Sequence, residues 1–488
     1  MTTTHAPVRT PDAAPAPRAA LLTVVVLCFG GLSAAVMQTL VVPIQGELGA
    51  LLHTGAANAS WVLTATLVAG AVGMPISGRL GDMFGKQRVL VASAALLVAG
   101  SLLCAVSDSL LPMLAGRVLQ GLAMGFIPVG IAMMREVTPP HLTPTAIAAM
   151  SATLGVGGAI GLPASAWVVE NFDWHALFWF SGGLAAVVLV AIATLVPHID
   201  DATGGRLDVV GSLGLSVGIV GVLVAISKGH DWGWTSGRTL GLLVGGAAVL
   251  VAWAAYELRT SDPLCDLRTT ARRPVLLTNL AAIAVGFGMM ASSVVVPQLL
   301  QLPSATGFGL GQTVLQAGLW MAPGGLVMML FAPISSRLMG RIGARSTLVI
   351  GATVLGCGYL LATFLTGAPW QLLIASCVTT AGVGIGYAAM PTLILQAVPL
   401  TEAGAAVGIN GLMRSIGTSL STAVMTVILT SSTVSLGAVA IPSEAAFKTC
   451  FVVGAVAAFV GAGLALLVGR PGRGQEQSSL SGNVPDNI

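Results

Sequence analysis

The sequence predicts an all-α membrane protein with 14 transmembrane helices, arranged as six, two and six. Three observations predict this class: a hydrophobic fraction of 55% with a mean hydropathy of +0.92, a series of long apolar runs, and a motif repeated at Pro75 and Pro333. Only 8% of the 488 residues are charged, whereas about a quarter are charged in an ordinary soluble domain. The chain therefore has too little polar surface to fold in water.

The apolar runs have the length of membrane-spanning helices. A helix that crosses the hydrocarbon core needs roughly 20 apolar residues, whereas barrel strands would alternate polar and apolar residues over about ten positions. The runs lie near residues 21–43, 59–77, 89–106, 110–134, 145–168, 175–196, 208–227, 238–256, 275–299, 312–334, 346–366, 370–395, 404–430 and 447–468. The first run is too long for a signal peptide and has no cleavage site, so we expect it to remain as a spanning helix.

The basic residues predict that both termini lie in the cytoplasm. An even number of spans puts both ends on one side, and with the ends inside, the cytoplasmic segments hold most of the 21 basic residues. The predicted outer loops hold only Lys228, Arg238 and Lys448. The positive-inside rule therefore favours this orientation, and the scattered charges form no patch for nucleic acid.

An internal repeat divides the chain into two related halves. PISGRLGDMFGKQRVL begins at Pro75 and PISSRLMGRIGARSTL at Pro333, while GLAMG at Gly121 and GVGIG at Gly382 match on helices 4 and 12. The predicted organisation is a disordered cytoplasmic tail over 1–20, a six-helix bundle over 21–200, two inserted helices over 201–262, a second six-helix bundle over 263–469 and a disordered tail over 470–488. Two halves around an axis along the membrane normal are typical of a secondary transporter.

Charge is concentrated in GRLGDMFGKQR, residues 78–88. Its glycines permit a tight turn and close helix approach, and Asp82 is expected to accept hydrogen bonds at a helix N-terminus. The alternative, a basic loop that only sets topology, leaves Asp82 and the glycines unexplained. We therefore predict a cytoplasmic gate, in which Lys86 and Arg88 bridge to carboxylates or carbonyls and the two halves are held together. Its residues are Gly78, Arg79, Asp82, Gly85, Lys86 and Arg88.

These motifs resemble those of a known family. GRLGDMFGKQR resembles the signature between helices 2 and 3 of the major facilitator superfamily, and RVLQG at 117–121 resembles its fourth-helix element. The segments LDVVGSLGL, DWGWTS and YELRTSDPLCDLR resemble the fourteen-helix drug:proton antiporter branch. The resemblance implies a major facilitator fold and efflux of amphipathic compounds driven by the proton gradient. That branch carries an acid in helix 1, where this chain has Ala34, and its fifth-helix motif departs here as GGAIGLPASAW.

Polar residues inside the helices are the candidates for binding and coupling. Arg117 costs about 2.5 to 3.5 kcal/mol to insert, so we expect it to face a wet cavity or a partner, with snorkelling to the surface as the alternative. Asn410 and Arg414 share one face of helix 13. The substrate or coupling candidates are Gln38, Arg117, Gln120, Asn410, Arg414 and Trp320. Glu136 and Glu170 are proton-coupling candidates, and solvated helix-end charges are the alternative reading of both.

Together these features predict a secondary active transporter of the cytoplasmic membrane that exports drugs or other amphipathic molecules in exchange for protons, as a monomer in the lipid bilayer. The alternative is a facilitator, or an importer or symporter of a small metabolite, without proton antiport. An enzyme is not expected, because no acids and histidines converge inside the spans. No metal or other cofactor is predicted, since the six cysteines are scattered and no nucleotide-binding loop occurs.

Overall fold

The structure is a computed structural model that describes residues 17–469 except 42–43, 45–46, 199–203, 205 and 437–438. Within these residues, 13 helical segments are long and apolar enough to cross a membrane. One of them, Val314–Phe364, is 51 residues long and breaks at Gly343. It therefore supplies two spans, and the prediction of 14 helices is confirmed. The predicted tails, apart from 17–20 at the start of the first helix, lie outside the described residues.

We number the membrane-length helices α1 to α14 in chain order. They are α1 Pro17–Thr39, α2 Trp61–Phe84, α3 Lys86–Ala105, α4 Leu110–Val137, α5 Thr143–Asn171, α6 His175–Leu195, α7 Val209–Trp232, α8 Gly237–Glu257, α9 Arg273–Gln301, α10 314–342, α11 344–364, α12 Pro369–Ala397, α13 Ala403–Ser431 and α14 Glu444–Leu467. Shorter helical turns are Leu48–Leu51, Ala56–Ala59, Leu267–Thr270, Ser304–Thr306 and Leu400–Glu402.

Several helices begin at side chains that satisfy their first N–H groups. Asp208, Ser236 and Ser443 accept hydrogen bonds at the starts of α7, α8 and α14. At the start of α10, Thr313 and Gln316 form a reciprocal capping box. Such caps stabilise a helix terminus by roughly 0.5 to 2 kcal/mol each.

A short antiparallel hairpin joins α13 to α14. Its strands are β1 Thr433–Leu436 and β2 Val439–Pro442, with Thr433 opposite Pro442. The prediction of a purely helical chain missed this element, whose β-branched residues favour extended structure. It lies outside the membrane-length helices and leaves the fold class unchanged.

The helices pack as two bundles and an inserted pair. In the first half, α1 packs on α5 and α6, α2 on α4, and α3 on α4 and α6; in the second, α9 packs on α13 and α14, and α11 on α12. The halves meet where α2 packs on α13 and α5 packs on α10. The inserted α7 and α8 pack on each other, and α7 contacts both α2 and α13. The pair therefore lies against one of the two seams between the halves.

The internal repeat is visible in the backbone. Gly85 and Gly343, which occupy matching positions, both have positive φ (95° and 82°) with extended ψ, and each separates two helices by a single residue. A residue with a Cβ rarely adopts this conformation. The matching helices α4 and α12 are also both interrupted near their repeated glycine segments, α4 by the turn Ala123–Gly125 and α12 by residues 387–388, which directly follow GVGIG.

Candidate functional site

Asp82 joins the two halves at the predicted cytoplasmic end. Its Oδ1 accepts a hydrogen bond from the Gly404 N–H at 2.9 Å, and its Oδ2 accepts one from the Ala405 N–H at 2.9 Å. These N–H groups belong to the first turn of α13, where the helix dipole favours an anion. Only 1% of Asp82 is exposed. The carboxylate thus caps a helix of the opposite half.

Two glycines bring α2 and α13 into backbone contact at this position. A Cβ built on Gly78 would lie 2.1 Å from the Gly404 carbonyl oxygen, and one built on Gly404 would lie 2.4 Å from the Gly78 oxygen. Small residues let membrane helices approach this closely. Any side chain at either position would separate Asp82 from the N–H groups that it binds.

Lys86 extends this cluster within the first half. Its Nζ lies 2.6 Å from Glu136 Oε1 on α4 and 3.8 Å from Asp82 Oδ1. Next to Glu136, Arg135 donates to the Val398 carbonyl oxygen of the second half at 3.3 Å. We call Gly78, Asp82, Lys86, Glu136 and Gly404 the clasp. Sequence reasoning treated Glu136 only as a proton-coupling candidate and missed the Arg135 contact.

The remaining predicted gate residues have different surroundings. The motif is helical through Phe84, so the expected loop is reduced to Gly85. Arg88 is exposed, and its Nη2 lies 3.5 Å from His198 Nε2 of its own half. Arg88 therefore does not bridge the halves in this conformation.

Arg79 lines a cavity of about 220 Å³ between α13 and the segment that follows α8. Its walls include Ser261, Asp262 and Cys265, and burial raises the pKa of the Cys265 thiol. The cavity borders the α2–α13 seam at the same end as the clasp.

Arg117 is packed inside the first half. Its guanidinium donates to the carbonyl oxygens of Val62 and Met37, at 3.2 and 3.5 Å, and to Gln120 Oε1 at 2.7 Å. Gln120 donates in turn to Ser101 Oγ at 2.9 Å. Since Arg117 is only 1% exposed, it faces protein partners, as one arm of the expectation had it. Neither a wet cavity nor snorkelling to the surface describes this conformation. The end of α1 supplies a partly negative carbonyl there.

The second half holds two polar pairs. Asn410 Nδ2 donates to Asn279 Oδ1 at 3.0 Å, and both residues are buried. One turn along α13, the Arg414 guanidinium lies 4.4 Å from the centre of the Tyr387 ring, a cation–π geometry. Sequence reasoning missed Asn279 and Tyr387, although Tyr387 directly follows the repeated GVGIG segment of α12.

The other candidates lie apart from these clusters. Gln38 Nε2 is 2.7 Å from Met124 Sδ, and Trp320 Nε1 donates to Gln312 Oε1 at 3.0 Å. Glu170 is exposed. Nearby, hydrogen bonds from His175 lower the pKa of Asp173.

Lys228 was expected in an outer loop, and this expectation is wrong. It is 2% exposed within α7, where its Nζ contacts Ser60, lies 3.2 Å from Asp231 Oδ2 and is 5.1 Å from the centre of the Trp61 ring. The inserted pair is therefore fastened to the start of α2.

Two repeated helical bundles that meet along two seams define the class of membrane transporters built from duplicated halves. The comparisons with known proteins identify the family. The model of the Major Facilitator Superfamily matches residues 27–422 and 278–483, and the chain belongs to this family. Members of this family are membrane transporters rather than enzymes, and the 14 membrane-length helices of this chain give it their multi-pass architecture.

Relatives and a solved structure agree with this assignment. The chain is 29% identical over 388 residues to a "Multidrug resistance protein B homolog" of Mycobacterium tuberculosis, covering 76% of this chain and 69% of the relative. It is 27% identical over 410 residues to a "Probable actinorhodin transporter" of Streptomyces coelicolor, covering 81% and 69%. The human organic anion transporter MFSD10 superposes with a TM-score of 0.66 at 14% identity, covering 91% of this chain and 99% of that one, a likeness of fold alone.

The matched relatives also include longer proteins. The chain spans about half the length, 53%, of two uncharacterised MFS-type transporters of Mycobacterium tuberculosis, to which it is 29% identical over 376 residues.

Proposed function

We propose that this protein exports drugs or other amphipathic small molecules from the cytoplasm in exchange for protons, by alternating access. The names of the multidrug and actinorhodin relatives support the substrate class. The observation that carries the mechanism is the pair of hydrogen bonds from α13 to Asp82. These hydrogen bonds join the two halves at the predicted cytoplasmic end. Alternating access requires such a contact, because each end of the protein must open and close separately.

The proposed transport cycle opens and closes the clasp. In this conformation α2 and α13 are in backbone contact at Gly78 and Gly404, so the predicted cytoplasmic end is closed. Opening it separates Asp82 from both N–H groups. A hydrogen bond to a charged group contributes about 1.5 to 3 kcal/mol, which is enough to set the balance between two such states.

We propose that the substrate binds between the halves, near the middle of α2 and α13. There, Met74 of α2 contacts Gly411 and Ser415 of α13, and the half-buried Arg414 lies on the Tyr387 ring. Charge and an aromatic face suit amphipathic cargo. In this scheme Gln38 and Trp320 line the path, because both are half-buried.

The buried candidates have a positioning role in this proposal. Arg117 and Gln120 hold the end of α1 against α2 and α3 through the carbonyl and Ser101 contacts. Asn410 joins α13 to α9 through Asn279. Their substitution would then alter transport through helix placement.

The proposed proton coupling involves the clasp. Protonation of Glu136 would weaken its 2.6 Å contact with Lys86 and so loosen the clasp within the first half, whereas Glu170 is exposed at the other end of α5. The second candidate function, a facilitator or a metabolite importer, is favoured by a specific observation: the helix 1 position that carries an acid in the resembling branch is the buried Ala34.

We further propose that the protein works as a monomer in the cytoplasmic membrane with both termini inside. The bundles then correspond to residues 21–200 and 263–469, with 201–262 as the inserted pair. The basic residues of the loops support this orientation.

Transport by the purified protein in proteoliposomes tests the function. A fluorescent lipophilic cation and a neutral drug serve as probes under imposed proton gradients and, separately, sodium gradients. We expect uptake against the probe gradient only when a proton gradient is present, with protein-free liposomes as the control. Probe movement that is unchanged when the proton gradient is collapsed would favour the facilitator instead.

A further inference from the structure

A polar cluster joins the inserted helices to the gate motif. It lies where α7 begins and α8 ends, and it contains Asp208 and Glu257, which we call the carboxyl pair. Asp208 belongs to LDVVGSLGL and Glu257 to YELRTSDPLCDLR. These two segments are far apart in the sequence, and the fold brings them together beside Arg79 of the gate motif.

One oxygen of each carboxyl group accepts hydrogen bonds. Asp208 Oδ1 accepts hydrogen bonds from the Gly211 N–H at 2.8 Å and the Tyr256 hydroxyl at 3.1 Å. Glu257 Oε2 accepts a hydrogen bond from the Leu264 N–H at 3.2 Å. Glu257 thereby ties the segment after α8 to the end of that helix.

The other two oxygens face a common space. Asp208 Oδ2 and Glu257 Oε1 are inaccessible to solvent and have no hydrogen-bond partner among the described residues. A Cβ built on Gly211 would lie 2.3 Å from Asp208 Oδ2 and 3.1 Å from Glu257 Oε1. The absence of a side chain at Gly211 thus leaves the two carboxyl groups room to approach. Glu257 as a whole is 97% buried, with 3% exposed.

Two neighbouring carboxylates in a buried space repel each other, and one shared proton removes this repulsion. The proton also makes one group a donor, so that both unused oxygens gain a partner. The charged and titratable groups that face Glu257 are Asp208 on α7 and Arg79 on α2, together with the Cys265 thiol of the following segment. One cation therefore faces two potential anions.

We propose that Asp208 and Glu257 form a proton-binding site, in which one proton shared between Asp208 Oδ2 and Glu257 Oε1 keeps the predicted cytoplasmic end closed. On release, the proton passes from the carboxylic acid to water and leaves two carboxylates. Their repulsion separates the ends of α7 and α8 and frees the Leu264 segment, which forms a wall of the cavity against α13. In assigning this proton to gating, the inference rests on the proposed function.

Infrared titration of the full-length protein in lipid nanodiscs tests the site without transport. We expect the wild type to show a protonated carboxylic acid band that disappears as the pH rises. Both Glu257→Gln and Asp208→Asn should lose this band. The matched control is Asp262→Asn, an exposed acid of the same segment, which should retain it. The site is refuted if the wild type has no titrating band or if both variants keep it.

Hydrogen exchange of residues 258–270, corrected for the intrinsic effect of pH, tests the coupling to the gate. Exchange in the wild type should accelerate about tenfold, a typical size for coupling between sites, over the pH range in which the band disappears. In Glu257→Gln it should be independent of pH. The coupling would be refuted if the exchange rate of residues 258–270 did not change over the pH range in which the band disappears. Gel filtration confirms that each variant is folded.

The site and the proposed function can fail separately. If the protein exports its substrate in response to a proton gradient but shows no titrating infrared band, the proton-binding site is refuted and the proposed function stands. If the band titrates but export does not depend on the proton gradient, Asp208 and Glu257 remain a proton-binding site and proton-coupled export is refuted.

Discussion

The turn between α2 and α3 and its repeat between α10 and α11 share a backbone and differ in charge. Both bend at a glycine with positive φ, Gly85 and Gly343. The first carries Asp82, whereas Gly340 occupies the matching position of the second. In the second seam, α5 and α10 share a hydroxyl pair, Thr145 and Ser336, at 2.6 Å in an exposed setting.

The two turns also face different helix starts, and only the first of these starts suits a carboxylate. The second residue of α13 is Gly404, whose N–H binds Asp82, whereas the second residue of α5 is Pro144, which has no N–H to donate. A carboxylate that accepts two N–H bonds is stabilised more than a neutral hydroxyl pair. Duplication thus supplied two similar seams, and we infer that only the first is built to hold the gate.

The largest effect is expected from Gly78→Val. Its side chain would meet the Gly404 carbonyl, which already lies 2.1 Å from a Cβ built at this position. The seam would be unable to close, and transport would be lost. Spin labels at the exposed residues His141 and Gln396, on opposite halves, would report a longer distance. Gly340→Ala, where a built Cβ meets nothing within 4 Å, is the matched control and should behave as the wild type.

Asp82→Asn should weaken closure by an intermediate amount. An amide has one acceptor oxygen, so one charge-assisted hydrogen bond to α13 is lost and the other becomes neutral. The closed state should be destabilised by about 1.5 to 3 kcal/mol. The ratio of closed to open protein should therefore fall roughly ten- to hundredfold. The same spin-label pair measures this shift. An unchanged distance distribution together with unchanged export would contradict the gating role of Asp82.

Gly340→Asp transplants the carboxylate to the second turn and should have a small effect. Because Pro144 offers no N–H, the new carboxylate cannot reproduce both hydrogen bonds that Asp82 makes. We therefore expect that Gly340→Asp fails to restore transport in an Asp82→Asn background. Restored export in the double variant would show that the helix termini are equivalent after all.

The smallest effect is expected from Ser336→Ala. It removes one exposed hydroxyl pair, which contributes about 0.5 to 1.5 kcal/mol at most. The ratio of closed to open populations that the spin labels report should change by about two- to tenfold at most, and export should continue. A loss as large as that of Asp82→Asn would mean that both seams hold the gate equally.

Several features were predictable because they depend on neighbouring residues. The 14 spans follow from local hydropathy, and the repeat motif located the two matching turns, although a loop was expected where the structure bends at one glycine. The expectation that Asp82 accepts hydrogen bonds at a helix N-terminus needed only the chemistry of a lone acid beside glycines. The sequence could not name that helix, because Gly404 lies 322 residues away.

Other features depended on contacts that the sequence does not show. Arg117 was expected to face a wet cavity or a partner, and the structure supplies the partners as carbonyl oxygens of two other helices. Lys228 was assigned to a loop because it is charged, whereas contacts with Ser60, Asp231 and Trp61 hold it inside α7. A hydropathy scale assigns every charged residue an unfavourable energy of burial, and it contains no information on the partners that can offset this energy.

By itself, the sequence determined that the chain spans a membrane in 14 helices and that its two halves repeat, because apolar length and glycine position act locally. Only the tertiary structure decided which groups meet: Asp82 with the start of α13, Arg414 with Tyr387, and Asp208 with Glu257. Such pairs form between helices that are distant in sequence, so their geometry is set by how the bundles pack.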